Sequence, residues 1–408
     1  DLSTMLAQYH THITERAAQG LPPLPLNAEQ SAALVELLKS PPSDADSAEL
    51  LHLLRDRIPA GVDQAAYVKA AFLADIAKGQ AKSPLVDAAL AVELLGTMLG
   101  GYNVQALVEL LSGPEAIAAL AAQTLAHTIL VFDAFHDVDA LAKQGNPHAQ
   151  TVMQAWADGL WFTQRPSLPQ AMQLVVFKVD GETNTDDLSP AQEAWSRPDI
   201  PLHAKAMLVN RMPDALDKIA ALKQQGIPLA YVGDVVGTGS SRKSAINSVQ
   251  WHMGEDIPAI PNKRTGGVIL GGKIAPIFFN TAEDSGALPI QCDVSAMHTG
   301  DVITLRLDEG TVSNAQGQVI SRFELQPTTL GDEVRAGGRI PLIIGRGLTN
   351  KARAALGLSP STLFVQPIQP KDTGKGYTLA QKMVGRACGL PEGVGVRPGL
   401  TVSLKPPQ

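Results

Sequence analysis

The feature that most constrains this chain is an abrupt change of texture at the Arg-Pro-Ser-Leu-Pro segment of residues 165–169. Before this segment, apolar residues recur at helical spacing, whereas runs rich in β-branched residues follow it. Two prolines within four residues end a helix, because proline lacks the backbone donor and its ring clashes with the preceding turn. We therefore predict an all-α domain over residues 1–165 and an α/β domain over residues 166–388.

The first 165 residues read as amphipathic helices of about 10–20 residues that are joined by Gly and Pro turns. The clearest helix begins after Asn27, a typical N-cap residue, and carries Leu34, Leu37 and Leu38 on one face. Helices of this length form antiparallel pairs, and stacked pairs build an α-solenoid of the HEAT type. Without a sharp sequence repeat, the solenoid prediction rests on helix lengths and turns. Further helices are predicted over residues 62–78, 85–99, 103–111 and 147–163.

The remainder alternates predicted strands with predicted helices, which is typical of a mixed α/β domain. The predicted strands cover residues 173–179, 230–236 and 302–307, and a hairpin is predicted over residues 312–325. The predicted helices cover residues 203–210, 214–224, 241–253, 351–356 and 378–388. Residues 389–408 are rich in Gly and Pro, so we predict an irregular tail.

Charge and hydropathy exclude several classes of protein. The 408 residues include 33 Lys and Arg against 40 Asp and Glu, and this acidic balance argues against a nucleic-acid binder, which normally presents a basic face. No run of about 18 apolar residues is present, so we predict no membrane span. The N-terminus shows no basic segment followed by an apolar run, so we expect no signal peptide and a cytoplasmic protein.

Cysteine is scarce in this chain, which contains only Cys292 and Cys388. Two cysteines without Cys-x-x-Cys spacing build no disulfide framework, which favours a reducing compartment. They are also fewer than the three or four thiolates that usually hold an iron–sulfur cluster. The scattered histidines of the helical half form no metal-binding motif. We therefore predict no metal site and no cofactor held by this chain alone.

The strongest signal for chemistry is the Gly-Thr-Gly-Ser-Ser-Arg-Lys-Ser segment of residues 237–244, between a predicted strand and a predicted helix. Backbone N–H groups in such a loop and at the helix N-terminus point at a bound anion. Ser240 and Ser241 add hydroxyl groups, and Arg242 can hold a carboxylate through two hydrogen bonds. The same donors can stabilise a serine alkoxide, which would make the serine a base or a nucleophile. A glycine turn with a serine helix cap explains the pattern equally well.

A nucleotide-binding P-loop is not supported. Arg242 stands where that pattern needs glycine before its lysine, and residues 267–274 have the spacing but lack the Ser or Thr that would hold Mg²⁺. A second polar segment, which contains Asp186 and Asp187, follows another predicted strand. It is either a capped turn or a pocket lining in which the carboxylates orient cationic side chains. Arg197 follows in a loop, where a lone arginine is usually a solvated surface charge.

Several segments together resemble a known family. The Gly-Ser-Ser-Arg run of residues 239–242, Ile-Ala-Pro-Ile-Phe-Phe-Asn at residues 274–280 and Gly-Ala-Leu-Pro-Ile at residues 286–290 resemble the swivel domain of aconitases and isopropylmalate isomerases. The wider sequence resembles the bacterial aconitase B family nearly throughout, up to about Arg397. Further matching segments are residues 67–70, 93–98, 181–190, 195–203, 230–243 and 337–348.

This resemblance implies a HEAT-like helical domain followed by an α/β aconitase swivel domain. It also implies aconitate hydratase chemistry of the tricarboxylic acid cycle, in which citrate and isocitrate interconvert at a [4Fe–4S] cluster whose open iron binds the leaving hydroxyl. By position, Ser240 matches the serine base that takes or returns the carbon-bound proton. Ser241, Arg242 and Arg197 match residues that bind a substrate carboxylate.

The family's cluster cysteines and three catalytic domains have no counterpart in this sequence, so we predict an inactive isolated chain that binds a tricarboxylate only weakly. One hypothesis is that it supplies the swivel half of a citrate or isocitrate site, with a cluster-bearing partner or within a larger aconitate hydratase. The alternative is a non-catalytic regulatory or binding paralogue that docks on a protein partner, or on a second copy, through its helical domain. The divergence of residues 400–408 from the family favours a paralogue.

Overall fold

The computed structural model describes residues 2–368 and 371–397, and its first part is helical. Helices alternate with short turns over residues 2–163, as the apolar spacing predicts. They are α1 (Leu2–Ala18), α2 (Ala28–Lys39), α3 (Ser47–Asp56), α4 (Gln64–Ala77), α5 (Ala88–Leu95), α6 (Val104–Leu110), α7 (Glu115–Ala126), α8 (Ala134–Lys143), α9 (Pro147–Asp158) and α10 (Leu160–Thr163). We call residues 2–165 the helical region.

Capping explains where these helices begin and end. Asn27 and Gln30 form a capping box, in which each side chain accepts a hydrogen bond from the other residue's backbone N–H, and this confirms the predicted start of α2. Two other predicted helices are too long. Helix α5 begins only after its cap Asp87, and the helix predicted to reach residue 163 is interrupted at Gly159. Helices α1, α3 and α8 were not predicted.

The second part of the chain is built on a mixed β-sheet. Its strands are β1 (Ala171–Asn184), β2 (Leu229–Thr238), β3 (Glu255–Ile257), β4 (Ile260–Thr265), β5 (Val268–Ile274), β6 (Leu288–Gln291), β7 (Val302–Arg306), β8 (Thr311–Ser313) and β9 (Val319–Arg322). The large sheet has the order β6-β5-β2-β1-β7-β8-β9, and β3 pairs only with β4. Strands β6, β5, β2 and β1 are parallel to one another, whereas β7, β8 and β9 continue the sheet in antiparallel fashion. The three predicted strands and the predicted hairpin are confirmed; β3 to β6 were not predicted.

Eight α-helices follow in the described residues beyond 184. They are α11 (Thr185–Leu188), α12 (Ile200–Ala204), α13 (Ala215–Lys223), α14 (Lys243–Met253), α15 (Pro276–Asp284), α16 (Leu330–Ala336), α17 (Arg339–Ala355) and α18 (Leu379–Ala387), and a 3₁₀ helix covers Ala191–Ser196. The helix predicted over residues 203–210 is wrong, because α12 ends at Ala204 and turns follow it. The helix predicted over residues 351–356 is much longer and begins at Arg339. We call residues 171–336 the sheet region.

Alternate residues of the central strands feed two separate cores. Phe177 and Val179 of β1 pack with Ala245 and Ile246 of α14 on one face of the sheet. Leu174 and Val176 of the same strand belong to a second core on the opposite face, together with residues of β7 and α16. The sheet is therefore buried on both faces, and polar groups can reach solvent only at its edges and at its strand ends.

Helix α17 ties the end of the sheet region back to the helical region. Leu348 and Ala352 of α17 belong to the same apolar core as Trp156 of α9. Trp161 of α10 donates a hydrogen bond from Nε1 to Oγ1 of Thr349, at 2.9 Å. Residues 339–355 therefore pack on the helical region although they follow the sheet region in sequence.

A buried ion pair also joins the two regions. Arg16 of α1 donates from Nη1 and Nη2 to the two carboxylate oxygens of Asp199, at 2.7 and 3.0 Å. The side chains are only 9% and 17% exposed, and Arg16 Nε donates to the carbonyl oxygen of Pro22. This two-pronged contact fixes the segment before α12 against the helical region.

Three predictions concern the ends and the outline of the molecule. Residues 389–397 form turns without helix or strand, as predicted for the tail, and residues 398–408 lie outside the described residues. Among the described residues, no helix combines the length and the apolar character needed to cross a membrane. The HEAT-type stacking of the helices and the domain bounds at residues 165 and 388 stay predictions.

Candidate functional site

The two polar segments singled out in the sequence meet at the same end of the sheet. Strands β1 and β2 are parallel neighbours, and the last residue of β1, Asn184, is paired with the last residue of β2, Thr238. The chain therefore leaves both strands side by side, with α11 after β1 and a glycine loop after β2. Ligands of open α/β sheets usually bind outside the carboxyl ends of such strands.

The loop after β2, residues 237–242, depends on its glycines. Gly237 and Gly239 have φ values of +82° and +96°, in the left-handed region that other residues rarely adopt. A Cβ atom on Gly237 would lie 2.3 Å from Cγ of Phe278, a buried residue of α15. Glycine at this position lets the loop run directly over α15 before it turns into α14.

Neither loop serine caps the following helix, so the interpretation of a serine cap is wrong. Helix α14 begins at Lys243, and its N-cap residue is Arg242, whose side chain does not cap it. Ser240 and Ser241 are exposed, and their hydroxyl groups make no hydrogen bond to any other residue that the structure describes. The loop is anchored instead by Thr185, which donates from Oγ1 to the carbonyl oxygen of Ser240 at 2.8 Å. Both hydroxyls are thus available to a ligand.

Arg242 is held by the segment that follows β1. Its Nη1 donates to Oδ1 of Asp186 and to the carbonyl oxygen of Ser189, both at 2.7 Å, and the side chain is only 20% exposed. The hydrogen bond from Arg242 holds the pKa of the Asp186 carboxyl below its usual range, with a further contribution from the backbone N–H of Ala191. The predicted role of Asp186 in orienting a cation is confirmed.

Asp187 does something else. Its carboxylate accepts a hydrogen bond from the backbone N–H of Asn184, whose side chain accepts one from the N–H of Asp187. This reciprocal capping box starts α11, so the interpretation of a capped turn is right for Asp187 and wrong for Asp186. The turn carries Asp186 toward the loop after β2.

Arg197, the other predicted carboxylate ligand, lies close in sequence to the segment that carries Asp186. It directly follows the 3₁₀ helix, its side chain is half-buried, and its buried Nε has no hydrogen-bond partner among the described residues. Its positive charge contributes to the lowered pKa values of both Asp186 and His203. The half-buried side chain and the buried Nε argue against a solvated surface charge.

Sequence reasoning missed a buried hydrogen-bonded cluster beneath this site, which we call the His203 network. Its four side chains are those of Ser189, Ser196, His203 and Ser244. His203 Nε2 is 2.7 Å from Ser189 Oγ, which is 2.6 Å from Ser244 Oγ, and His203 Nδ1 is 2.9 Å from Ser196 Oγ. The one signal in the sequence was the clustering of Ser, His and Arg within residues 189–203, next to the polar segment.

The residues present do not fit an iron–sulfur cluster. Cys292 is buried after β6, where burial raises the pKa of its thiol, and Cys388 lies at the end of α18. In the described part of the chain, no group of three or more His, Cys, Asp or Glu side chains could hold a metal ion. No chemical step is therefore assigned to a cluster on this chain.

A helical region followed by a mixed sheet with a Gly-Ser-Ser-Arg loop after β2 is the arrangement expected of a protein of the aconitase type. Family comparison makes this specific: residues 8–162 match the family described as the aconitate B N-terminal domain, and residues 174–377 match the aconitate hydratase 2 N-terminus. The chain belongs to the aconitase B family, in its N-terminal part.

Close relatives agree with this assignment. The chain is 63% identical to aconitate hydratase B of Synechocystis sp., 61% to that of Pseudomonas aeruginosa and 59% to that of Escherichia coli. Each match covers 97% of this chain and 45–46% of the relative, so the chain spans about half the length of the curated relatives it matches. A crystal structure of 3-isopropylmalate dehydratase from Methanocaldococcus jannaschii is 17% identical, with a TM-score of 0.35, over 45% of this chain and 99% of that one. So low a TM-score carries no argument here.

Proposed function

We propose that this chain supplies the carboxylate-binding swivel half of a citrate or isocitrate site. Arg197, Ser241 and Arg242 would hold carboxylates of the ligand, and Ser240 would take or return the carbon-bound proton. The observation that carries the proposal is that Arg242 and two serine hydroxyls without a partner among the described residues lie at the carboxyl ends of β1 and β2, where the charge of Arg197 also acts on Asp186. The name shared by the relatives, aconitate hydratase B, supports a tricarboxylate as the ligand.

The hydrogen bonds of Arg242 leave one edge of its guanidinium, formed by Nε and Nη2, for a carboxylate ligand. Asp186 and Ser189 both engage Nη1, whereas Nε and Nη2 make no hydrogen bond to a described residue. The Nε–Nη2 edge is one of the two edges that a carboxylate can engage through two parallel hydrogen bonds. Arg197, whose Nε has no hydrogen-bond partner among the described residues, offers a second positive charge. A ligand with several carboxylates suits two guanidinium groups better than a monocarboxylate does.

Ser240 is suited to move a proton rather than to hold the ligand. A serine hydroxyl accepts a proton from carbon only as an alkoxide, which needs nearby donors. Ser240 lies two residues before Arg242, the N-cap residue of α14, whose first turn has backbone N–H groups that point out of the helix and no side-chain cap. We propose that these N–H groups stabilise the alkoxide. The cluster that the family resemblance implies would lie on residues outside this chain, so the isolated chain would bind without turnover.

Titration of the deuterated, ¹⁵N-labelled chain with citrate and with tricarballylate tests the proposal. We expect the amide resonances of residues 239–243 to shift with a Kd on the order of millimolar, or about 4 kcal/mol, because half of the site is missing. Arg242→Ala should weaken binding at least tenfold. Arg322→Ala is the matched control, because it removes the same charge from an exposed position on the edge strand β9.

Two results would overturn the proposal. One is that neither ligand moves the amides of residues 239–243, and the other is that Arg242→Ala binds as tightly as Arg322→Ala. Either result would favour the alternative, a regulatory chain that docks on a protein partner or on a second copy through its helical region. Such a partner remains a proposal based on the helical fold.

A further inference from the structure

The His203 network joins the two segments that carry Arg197 and Arg242. His203 is the fourth residue of α12 and is 1% exposed, and Ser189 and Ser196 are also buried. On one side, Nε2 reaches Ser189, whose carbonyl oxygen accepts a hydrogen bond from Arg242. On the other side, Nδ1 reaches Ser196, the residue directly before Arg197. The imidazole ring of His203 therefore joins the segment that holds Arg242 to the segment that precedes Arg197.

The hydrogen-bond acceptors around the imidazole ring of His203 determine which ring nitrogen carries the proton. The carbonyl oxygen of Glu193 lies 3.1 Å from Nδ1 and can only accept, so Nδ1 carries the proton. Nε2 of the neutral ring then accepts from the hydroxyl of Ser189, and Ser189 Oγ in turn accepts from the hydroxyl of Ser244. Burial lowers the pKa of His203, so the ring is neutral at pH 7.

We propose that His203 is the positioning residue that sets Arg197 and Arg242 at the spacing required by a ligand with two or more carboxylates. The inference rests on the proposed function, because it names what tunes that site. His203 is linked to Arg242 through Ser189, and also through Ser244 in the first turn of α14. It is linked to Arg197 through Ser196, the preceding residue. His203 itself touches neither guanidinium and is not a catalytic residue.

Histidine suits this position better than other side chains. The ring presents an acceptor and a donor on opposite sides at a fixed separation, with only two rotatable bonds. Glutamine can place an amide near the position of Nε2, and asparagine can place one near the position of Nδ1. Each amide therefore replaces one half of the ring, which makes the two branches of the network separable by substitution.

The first measurement needs no ligand. Long-range ¹H–¹⁵N spectra of histidine-labelled chain report which ring nitrogen carries the proton. We expect Nδ1–H and an unprotonated Nε2 for His203 at pH 7. A proton on Nε2, or a charged ring, would contradict the hydrogen-bond directions and overturn the inference even if citrate binds.

The second measurement compares variants of the full chain. His203→Gln should keep the Arg242 branch and disturb the Nε–H resonance of Arg197, whereas His203→Asn should do the reverse. His203→Ala should disturb both resonances and weaken citrate binding at least fivefold. His252→Gln is the control, because His252 is a half-buried histidine that donates to the carbonyl oxygen of Ala204 in the same helix, outside the network.

These variants separate failure of the inference from failure of the proposed function. If the native chain binds no tricarboxylate, the proposed function fails, and the complementary pattern of arginine resonances still tests the positioning role. If His203→Gln and His203→Asn disturb both arginines alike, or no more than His252→Gln does, the positioning role is wrong. If His203→Ala does not fold, the Gln and Asn variants and Ser189→Ala decide, since Ser189→Ala should disturb Arg242 alone.

Discussion

The helical region and the sheet region bury different kinds of side chain. The core of the helical region is almost wholly apolar, and Lys69 is unusual in it: burial lowers the pKa of this lysine to about 8. The sheet region has apolar cores on both faces, but it also buries many hydroxyl and imidazole groups at one end of its central strands. Those groups include Thr183, Thr185, Ser189 and His203.

This difference suggests that the helical region mainly provides stability and that the sheet region mainly provides ligand recognition. Apolar burial is not directional. It therefore stabilises the helical region without holding any one side chain in a precise orientation. Buried hydrogen bonds cost free energy when they are incomplete and define geometry when they are complete. We call the end of the sheet region that carries Thr183, Thr185, Ser189 and His203 its polar end. Hydrogen bonds fix the positions of side chains there. We expect substitutions in the helical core to change stability, and substitutions at the polar end to change binding.

The largest effect is expected in the helical core. Trp156 is fully buried, stacks on Phe135 at a centroid distance of 5.9 Å and donates from Nε1 to the carbonyl oxygen of Leu125. Trp156→Ala should lower the free energy of unfolding by about 3–5 kcal/mol, because it leaves a cavity and removes the hydrogen bond to Leu125. Denaturant unfolding measures this, and the citrate Kd of the folded variant should not change.

The exposed Trp195 offers the matched control for that experiment. Its side chain is 71% exposed, so Trp195→Ala should alter the free energy of unfolding by no more than about 0.5 kcal/mol. Equal costs for the two substitutions, or a cost below about 1 kcal/mol for Trp156→Ala, would contradict the assignment of stability to the helical core.

The next effect concerns the contact between the regions. Arg16→Ala should cost about 1.5–3 kcal/mol, because it leaves the buried carboxylate of Asp199 and the carbonyl oxygen of Pro22 unpaired. A double-mutant cycle with Asp199→Ala should show that most of this cost is the coupling between the two side chains. The pair of Lys143 and Asp139 is the control, because its lysine side chain is 66% exposed, and Lys143→Ala should cost about 0.5 kcal/mol or less. A cost for Arg16→Ala no larger than for Lys143→Ala would show that the two regions are not held together by this pair.

The same comparison shows what the sequence could predict. Local signals were sufficient where one segment decides its own structure: the Asn27 cap, the central strands, and the loop at residues 237–242 that bends only with glycine. The loop also indicated Arg242 as a candidate site residue, because its residue types converge within six positions. Strand β5 was considered only as a P-loop, although the apolar run at residues 268–270 indicates a strand.

Tertiary contacts decide the elements that the sequence did not predict. Helix α17 contains Gly345 and Gly347, which disfavour a helix, and it forms because its apolar face packs on the helical region. His203 lies 14 residues from Ser189 and carries no motif, so its role is visible only when the fold closes around it. Polar networks of this kind have no sequence period.

A smaller effect is expected from a buried pair of carboxyl groups in the sheet region. Glu283 of α15 and Glu333 of α16 are 3% and 2% exposed, and burial raises the pKa of both, to about 8 for Glu283. Arg339 offsets little of this cost, because its Nη1 is 3.9 Å from Glu283 Oε1 while it binds Asp284. The folded chain keeps the proton that the unfolded chain loses above about pH 4.5. Stability should therefore fall as pH rises from about 5 to 8, and then stay level.

Glu283→Gln should remove much of that slope. At pH 9 the variant should be more stable than the native chain by about 1–2 kcal/mol, and at pH 5 the two should be equal, because the native carboxyl is then protonated. Thermal unfolding across this pH range measures the difference. Glu324→Gln, at an exposed position, is the control and should leave the slope intact. A native chain whose stability does not decline between pH 5 and 8 would show that the pair is not protonated.

The smallest effect is expected at Ser240. Ser240→Ala should change the free energy of unfolding by no more than about 0.5 kcal/mol, because the side chain is exposed and its hydroxyl has no partner among the described residues. Citrate affinity should fall less than about twofold, because a group that moves a proton need not bind the ground state, and the backbone donors remain. Ser241→Ala should weaken binding by about 2–10-fold, which is the loss of one hydrogen bond. Both values come from the same amide titration. If Ser240→Ala weakens binding more than Ser241→Ala does, the two hydroxyls have exchanged roles, and Ser240 is a carboxylate ligand rather than the group that moves the proton.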